Sequence, residues 1–142
     1  MIRKNIKKIL VPLDGSQNSM RGLDEAIYLA RQCNATIMGL YVVPLYPRNF
    51  TDVIIPYRIQ LTQLAKKIME SAKIKCAKKG IMFKYKVVFG SPTMEIEEMA
   101  NNGTFNIIVI GSRGQSGLKE IFLGSVAKAI MHKSKIPVLV VK

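Results

Sequence analysis

Apolar and polar positions along this chain follow two alternating periods. Short unbroken apolar runs, as in strands covered on both faces, are separated by longer stretches with apolar residues three and four apart, as in helices packed on one side. Ile6 to Val11 predicts a first strand, ending at Pro12. Ser16 or Ser19 is placed to cap a helix reaching about Cys33, with a stripe of Met20, Leu23, Ile27 and Ala30. Thr36 to Val43 predicts a second strand, and Pro44 to Ile55, with two prolines and little periodicity, an irregular loop. Pro56 suits the first turn of a long helix reaching Lys79 and stopped by Gly80, with Leu61, Leu64, Ala65, Ile68 and Ala72 as its apolar face. Met82 to Phe89 predicts a third strand. Ser91-Pro92 opens a short helix to about Asn102, with Glu95 near its positive end and Gly103 as its stop. Phe105 to Ile110 predicts a fourth strand, Ser125 to Lys133 a helix, and Val138 to Val141 a fifth strand.

Strands alternating with helices imply right-handed crossovers and an open parallel sheet with helices on both faces. The apolar runs Ile107 to Ile110 and Val138 to Val141 predict strands buried on both sides. Such sheets bind ligands at the carboxyl ends of their strands, where the strand order reverses. With the order 3-2-1-4-5, which pattern alone does not fix, the reversal lies between the first and fourth strands. The loops after those strands carry Pro12-Leu13-Asp14-Gly15-Ser16 and Gly111-Ser112-Arg113-Gly114-Gln115-Ser116-Gly117. At 142 residues, without internal repeat, low-complexity tract or linker, the chain is expected to form one domain over residues 1–142.

Composition changes this picture mainly through charge. There are 22 Lys and Arg against 9 Asp and Glu, a formal net charge of +13, which suits an anionic ligand or partner. Six lysines fall between Lys66 and Lys79, against the single acid Glu70. They read as a solvated helix face rather than a nucleic-acid or membrane surface, because no aromatic residue is interleaved and no nucleic-acid motif is visible. No apolar run approaches ~18 residues, so no membrane span is expected. The basic N-terminus lacks the features of a secretory leader, so the expected location is the cytoplasm. Cys33 and Cys76 form no Cys-x-x-Cys motif and are expected as reduced thiols. The single His132 has no companions at zinc-ligand spacing.

The strongest chemical signal is the spacing Gly111-x2-Gly114-x9-Gly124-Ser125 after an apolar strand and before a helix. Glycines let backbone approach an anion, and the free N–H groups and positive dipole end of a helix then hold it. Ser125 adds a hydroxyl donor at the helix start. The segment is neither a Walker loop nor a Gly-x-Gly-x-x-Gly fingerprint. Glycines in a connecting loop also simply permit turns. Asp14 reads either as a turn or helix cap or, at the crevice, as a contact to a ribose or a metal ion. Arg113 reads as a phosphate partner or as an ordinary loop arginine. Val42 reads as a core residue whose backbone is the part able to recognise an adenine edge. No Ser-His-Asp or Cys-His set can be assembled, and Glu95, Glu97 and Glu98 read as a solvated helix face.

These residues resemble the universal stress proteins, in particular their ATP-binding branch, over nearly the whole chain. The resemblance is carried by Lys8-Ile9-Leu10-Val11-Pro12-Leu13-Asp14-Gly15-Ser16, by Gly39-Leu40-Tyr41-Val42-Val43 and by Gly90-Ser91-Pro92. It is strongest from Ile107 through Gly111-Ser112-Arg113-Gly114 to Gly124-Ser125-Val126, and in Ile136-Pro137-Val138-Leu139-Val140-Val141. It implies a Rossmann-like, adenine nucleotide alpha hydrolase-like fold: an open five-stranded parallel sheet of order 3-2-1-4-5 with helices on both faces. It also implies ATP in the crevice with a divalent cation, Mg2+ or Mn2+. Pro12 and Asp14 would then line the site beside ribose and phosphates, and the Val42 backbone would contact adenine. Ile110, Gly111, Arg113 and Gly114 would border ribose and phosphate. Gly124, Ser125 and Val126 would hold the phosphates. Gln115 departs from the basic residue often found at its position.

The function expected is that of an ATP-binding stress-response protein acting as a nucleotide-dependent switch or sensor. The alternatives are a slow ATPase or phosphotransferase in which Asp14 orients metal and phosphate, and a basic adaptor for an acidic partner. No catalytic residue is assigned. A symmetric homodimer is expected through Val138, Leu139, Val140 and Val141, an apolar edge strand in the expected order.

Overall fold

A computed structural model describes residues 5–44, 54–113 and 123–142. The elements follow the predicted alternation: β1 (Lys8–Pro12), α1 (Gln17–Cys33), β2 (Thr36–Pro44), α2 (Ile54–Lys78), β3 (Phe83–Gly90), α3 (Pro92–Asn102), β4 (Ile107–Gly111), α4 (Ser125–Lys133) and β5 (Val138–Val141). The strands form one sheet of order β3-β2-β1-β4-β5, every neighbouring pair parallel. The expected fold class is the observed one.

Side chains alternate across the sheet, as the two-residue period of a strand requires. Ile9, Val11, Ile37, Phe83 and Val109 pack with Leu23, Ile27 and Ala30 of α1 and with Met69, Ala72 and Cys76 of α2. Leu10, Leu40, Ile108 and Ile110 pack on the other face with Ile96 and Ala100 of α3 and Ala127 and Ile130 of α4. Two cores, one on each face, therefore clamp β1 and β4 at the centre.

Local signals place the helix ends. Of the two serines expected to cap α1, Ser16 does so: its Oγ accepts the Ser19 N–H at 3.1 Å. Ser19 lies inside the helix and is itself buried. Gly80 ends α2 with φ of +73°, a conformation glycine adopts without the steric cost of a Cβ. At the lower end of the sheet, the Asn106 Oδ1 accepts the N–H groups of Lys7 and Lys8 at 2.7 and 2.9 Å. That side chain stands in for a ladder partner, and β1 and β4 start later than their apolar patterns suggested.

Two readings of the pattern are corrected. In α2 the buried stripe is Ala65, Met69, Ala72 and Cys76, while Leu64 is 50% exposed. The four buried positions are spaced four, three and four residues apart and hold one narrow face against the sheet; Leu64 falls outside it. In β5, Leu139 is exposed and the other three residues are half-buried. β5 is an edge strand, paired only with β4, so it is not covered on both sides as β4 is.

Candidate functional site

The reversal of strand order between β1 and β4 leaves a crevice at their carboxyl ends. β1 delivers Pro12 and Leu13 to it, and the chain then turns at Asp14. The Asp14 Oδ1 accepts the Ser16 N–H at 2.9 Å, and the Ser19 Oγ donates to the Ser16 carbonyl at 3.0 Å. The Asp14 N–H lies 3.4 Å from the same Ser19 oxygen. This network holds the Asp14 carboxylate at the start of α1. β2 contributes Tyr41, Val42 and Pro44; the end of β4 contributes Ile110 and Gly111, followed by Ser112 and Arg113; α3 contributes Pro92 and Ile96. Gly124, Ser125, Val126 and Ala127 at the head of α4 close the ring.

Together these residues bound a cavity of about 300 Å³, at the lower end of the ~300–1,000 Å³ range of small-molecule sites. Nine of the ten residues named from the sequence line it: Pro12, Asp14, Val42, Ile110, Gly111, Arg113, Gly124, Ser125 and Val126. The tenth, Gly114, lies outside the described residues, as does Gln115. Sequence reading missed Tyr41, Pro92 and Ile96 as wall residues. Tyr41 adjoins Val42 in the strand that was singled out. In the sequence Pro92 stands out as a helix starter and as part of Gly90-Ser91-Pro92, and Ile96 carries no signal beyond its apolar character.

The chemistry of the wall is divided. Gly124 is the N-cap of α4 and provides no side-chain cap, so the amides of the first turn face the cavity end of the helix without an internal acceptor. With the helix dipole they suit an anion, and Arg113 adds a positive charge nearby. Asp14 is the one acid among the described lining residues. It suits a hydroxyl donor or a cation. Its charge is felt across the crevice: the Tyr41 phenol is pushed above its ordinary pKa, first by burial and then by Asp14.

Gly111 has a more immediate role than the anion approach expected of it. A Cβ there would lie 2.7 Å from the Asn18 Oδ1 and 2.8 Å from the Asn18 carbonyl oxygen. Glycine is needed so that α1 can pack onto the end of β4. The thiols and the imidazole lie elsewhere. Cys76, on α2, is buried against the sheet with its thiol pushed up to about 11 mainly by burial, Cys33 is half-buried at the end of α1, and His132 is exposed in the last turn of α4. No group of three or more His, Cys, Asp or Glu among the described residues is arranged to hold a metal. None of the described helices is long and apolar enough to cross a membrane.

An open parallel sheet whose loops after β1 and β4 meet a helix N-terminus across a switch point defines a class of α/β ligand-binding folds. The universal stress protein family model matches residues 5–142, and the chain belongs to that family. It is 36% identical over 148 residues to universal stress protein YxiE of Bacillus subtilis, covering 95% of this chain and 98% of that one. Among solved structures it is similar to MJ0577 of Methanocaldococcus jannaschii, with a TM-score of 0.86 and 34% identity over 97% of this chain and 96% of that one. The universal stress protein from Archaeoglobus fulgidus in complex with dAMP shares the fold, with a TM-score of 0.71 and 24% identity over 97% and 99% of the two chains.

Proposed function

We propose that this protein binds ATP in the crevice and acts as a nucleotide-dependent switch or sensor in a stress response. The observation that carries the reading is the meeting, around one cavity, of a helix N-terminus whose glycine N-cap supplies no side-chain cap, an arginine, an aspartate and the apolar ends of β1, β2 and β4. Phosphates fit the amides of Gly124, Ser125 and Val126 together with Arg113. The ribose fits beside Asp14 and Gly111, and the adenine fits between Pro12, Val42 and Ile110. Structural neighbours complexed with dAMP, cAMP and AMP support an adenine nucleotide at this site. The donor set also fits Mg2+ or Mn2+. Mg2+ is commonly held by one or two carboxylates plus substrate phosphates and water, and Asp14 is the one carboxylate among the described lining residues. Calorimetric titration with ATP and Mg2+, against NAD and FMN, tests the reading. ATP should bind more tightly than both, and no binding at millimolar ATP would overturn it.

We further propose a homodimer paired through β5. Leu139 is exposed and β5 forms one edge of the sheet, leaving its outer backbone groups without a ladder partner within the sheet. Antiparallel pairing of two copies across a two-fold axis satisfies such groups and buries the Val138, Leu139, Val140 and Val141 side chains. Sedimentation of the wild-type protein at high micromolar concentration tests this, and a monomer would refute it.

A further inference from the structure

Asn18 is the second residue of α1, where a polar side chain ordinarily faces water, yet it is 5% exposed. Its carboxamide is bonded to two other elements. Oδ1 accepts the Arg113 N–H at 2.6 Å and lies 3.5 Å from the Ser112 hydroxyl. Nδ2 donates to the Val141 carbonyl at 3.3 Å. That carbonyl also accepts the Ser112 N–H at 2.7 Å, and the Ser112 carbonyl accepts the Gly124 N–H at 2.6 Å. One side chain from α1 thus joins the end of β5 to the peptide that follows β4, and that peptide holds the N-cap of α4.

The close approach is built into the sequence. Gly111 leaves the space that Asn18 fills, and Gly22, one turn further along α1, would bring a Cβ to 3.2 Å from the Gly111 nitrogen. Ser112 is still tied to β5 through its N–H on the Val141 carbonyl, but Arg113 lies past that bond and beyond the last residue of β4. Backbone outside a ladder takes the conformation that its available partners impose, and for the Arg113 N–H that partner is Asn18.

We propose that Asn18 is a positioning residue of the crevice. Resting on the nucleotide reading above, the inference is that Asn18 fixes the Ser112–Arg113 backbone so that Arg113 and the Gly124 amide stand ready for the phosphates. A segment ordered in advance does not have to be ordered on binding, and that difference appears as affinity. The effect acts through Arg113 and Gly124, without contact between Asn18 and ligand.

The test compares wild type, Asn18→Leu and Asn18→Asp by calorimetry with ATP plus Mg2+ and with adenosine, and by amide hydrogen exchange at Arg113. Leucine keeps the volume and removes both polar atoms. Asn18→Leu should weaken ATP binding by about tenfold or more, the equivalent of ~1.4 kcal/mol, weaken adenosine binding less, and speed exchange at Arg113. Aspartate keeps the acceptor but not the donor, so Asn18→Asp should leave the Arg113 amide slow and adenosine binding near wild type. A folded Asn18→Leu protein with wild-type ATP affinity overturns the inference. So does an equal loss for ATP and adenosine with a slow Arg113 amide, which marks a purely structural role. If Asn18→Leu does not fold, fast Arg113 exchange in Asn18→Asp overturns it instead. A wild-type protein that binds neither ligand fails the nucleotide reading itself, a result distinct from any variant effect.

Discussion

The Gly124 N–H donates to the Ser112 carbonyl at 2.6 Å. This bond joins the head of α4 to the peptide that follows β4, across the glycine-rich segment between them. It aims the first turn of α4 at the cavity lined by Asp14 and Arg113. The first turn of α4 contains no acidic residue, so its attraction for an anion comes from backbone amides and the helix dipole.

Gly124→Val should abolish detectable ATP binding while leaving a cooperative thermal transition. Gly124 has φ of −61° and ψ of 154°, a conformation open to any residue, so the backbone tolerates the change. A branched side chain at the N-cap blocks approach to the amides. Calorimetry with ATP on the folded variant decides this, and wild-type affinity would place the phosphates elsewhere.

Asp14→Asn should weaken ATP binding more when Mg2+ is present than in its absence, because asparagine keeps the acceptor for the Ser16 N–H but loses the charge. The same change should lower the Tyr41 phenol pKa. The Asp14 charge disfavours phenolate, so its removal makes deprotonation easier, and the larger effect of burial remains. Ultraviolet titration of wild type and variant measures the shift. A Tyr41 pKa that does not move would show that the two groups do not sense each other across the crevice.

Turnover should be slow or absent. Asp14 is the one acid among the described lining residues, and no histidine or cysteine stands beside it there, so the described residues of the crevice hold no oriented base for a nucleophile. Phosphate release should fall far below the ~10 per second of a typical enzyme. Release at that rate, lost in Asp14→Asn, would make the protein a hydrolase rather than a switch.

Val140→Lys should shift the protein towards monomer in sedimentation velocity. A lysine on each edge strand places like charges together across a two-fold axis and strips the interface of apolar surface. An unchanged sedimentation coefficient in a dimeric wild type and variant would move the interface away from β5.

Met69→Ala should destabilise the fold by about 2–5 kcal/mol, the usual cost of truncating a buried long side chain. Leu64→Ala, five residues earlier on the same helix and on another face, should stay within about 0.5 kcal/mol, because Leu64 is half-exposed and Met69 fully buried. Urea unfolding of the two variants checks the pair. Comparable losses would mean that α2 presents a different face to the sheet.

The types and order of the elements, and their limits to within about two residues, were legible because they depend on neighbours in the chain. The three- and four-residue steps of α1, the unbroken run of β4 and the start of α4 after Gly124 are local patterns, and α4 and β5 occupy the residues expected of them. Most of the crevice was legible for a related reason: the head of α4, the end of the crevice suited to an anion, is a backbone feature that glycine spacing announces. What the tertiary structure decided lies in contacts between residues far apart. Leu64 and Met69 are both apolar residues of α2; only the seating of α2 on the sheet chooses between them. Pro92 and Ile96 become wall residues because α3 packs on the sheet face that carries Leu40 and Ile110. Asn18 and Arg113 stand 95 residues apart. The carboxamide that joins them gave no sign in the sequence, because its partners are backbone groups, and every residue but proline carries the same ones.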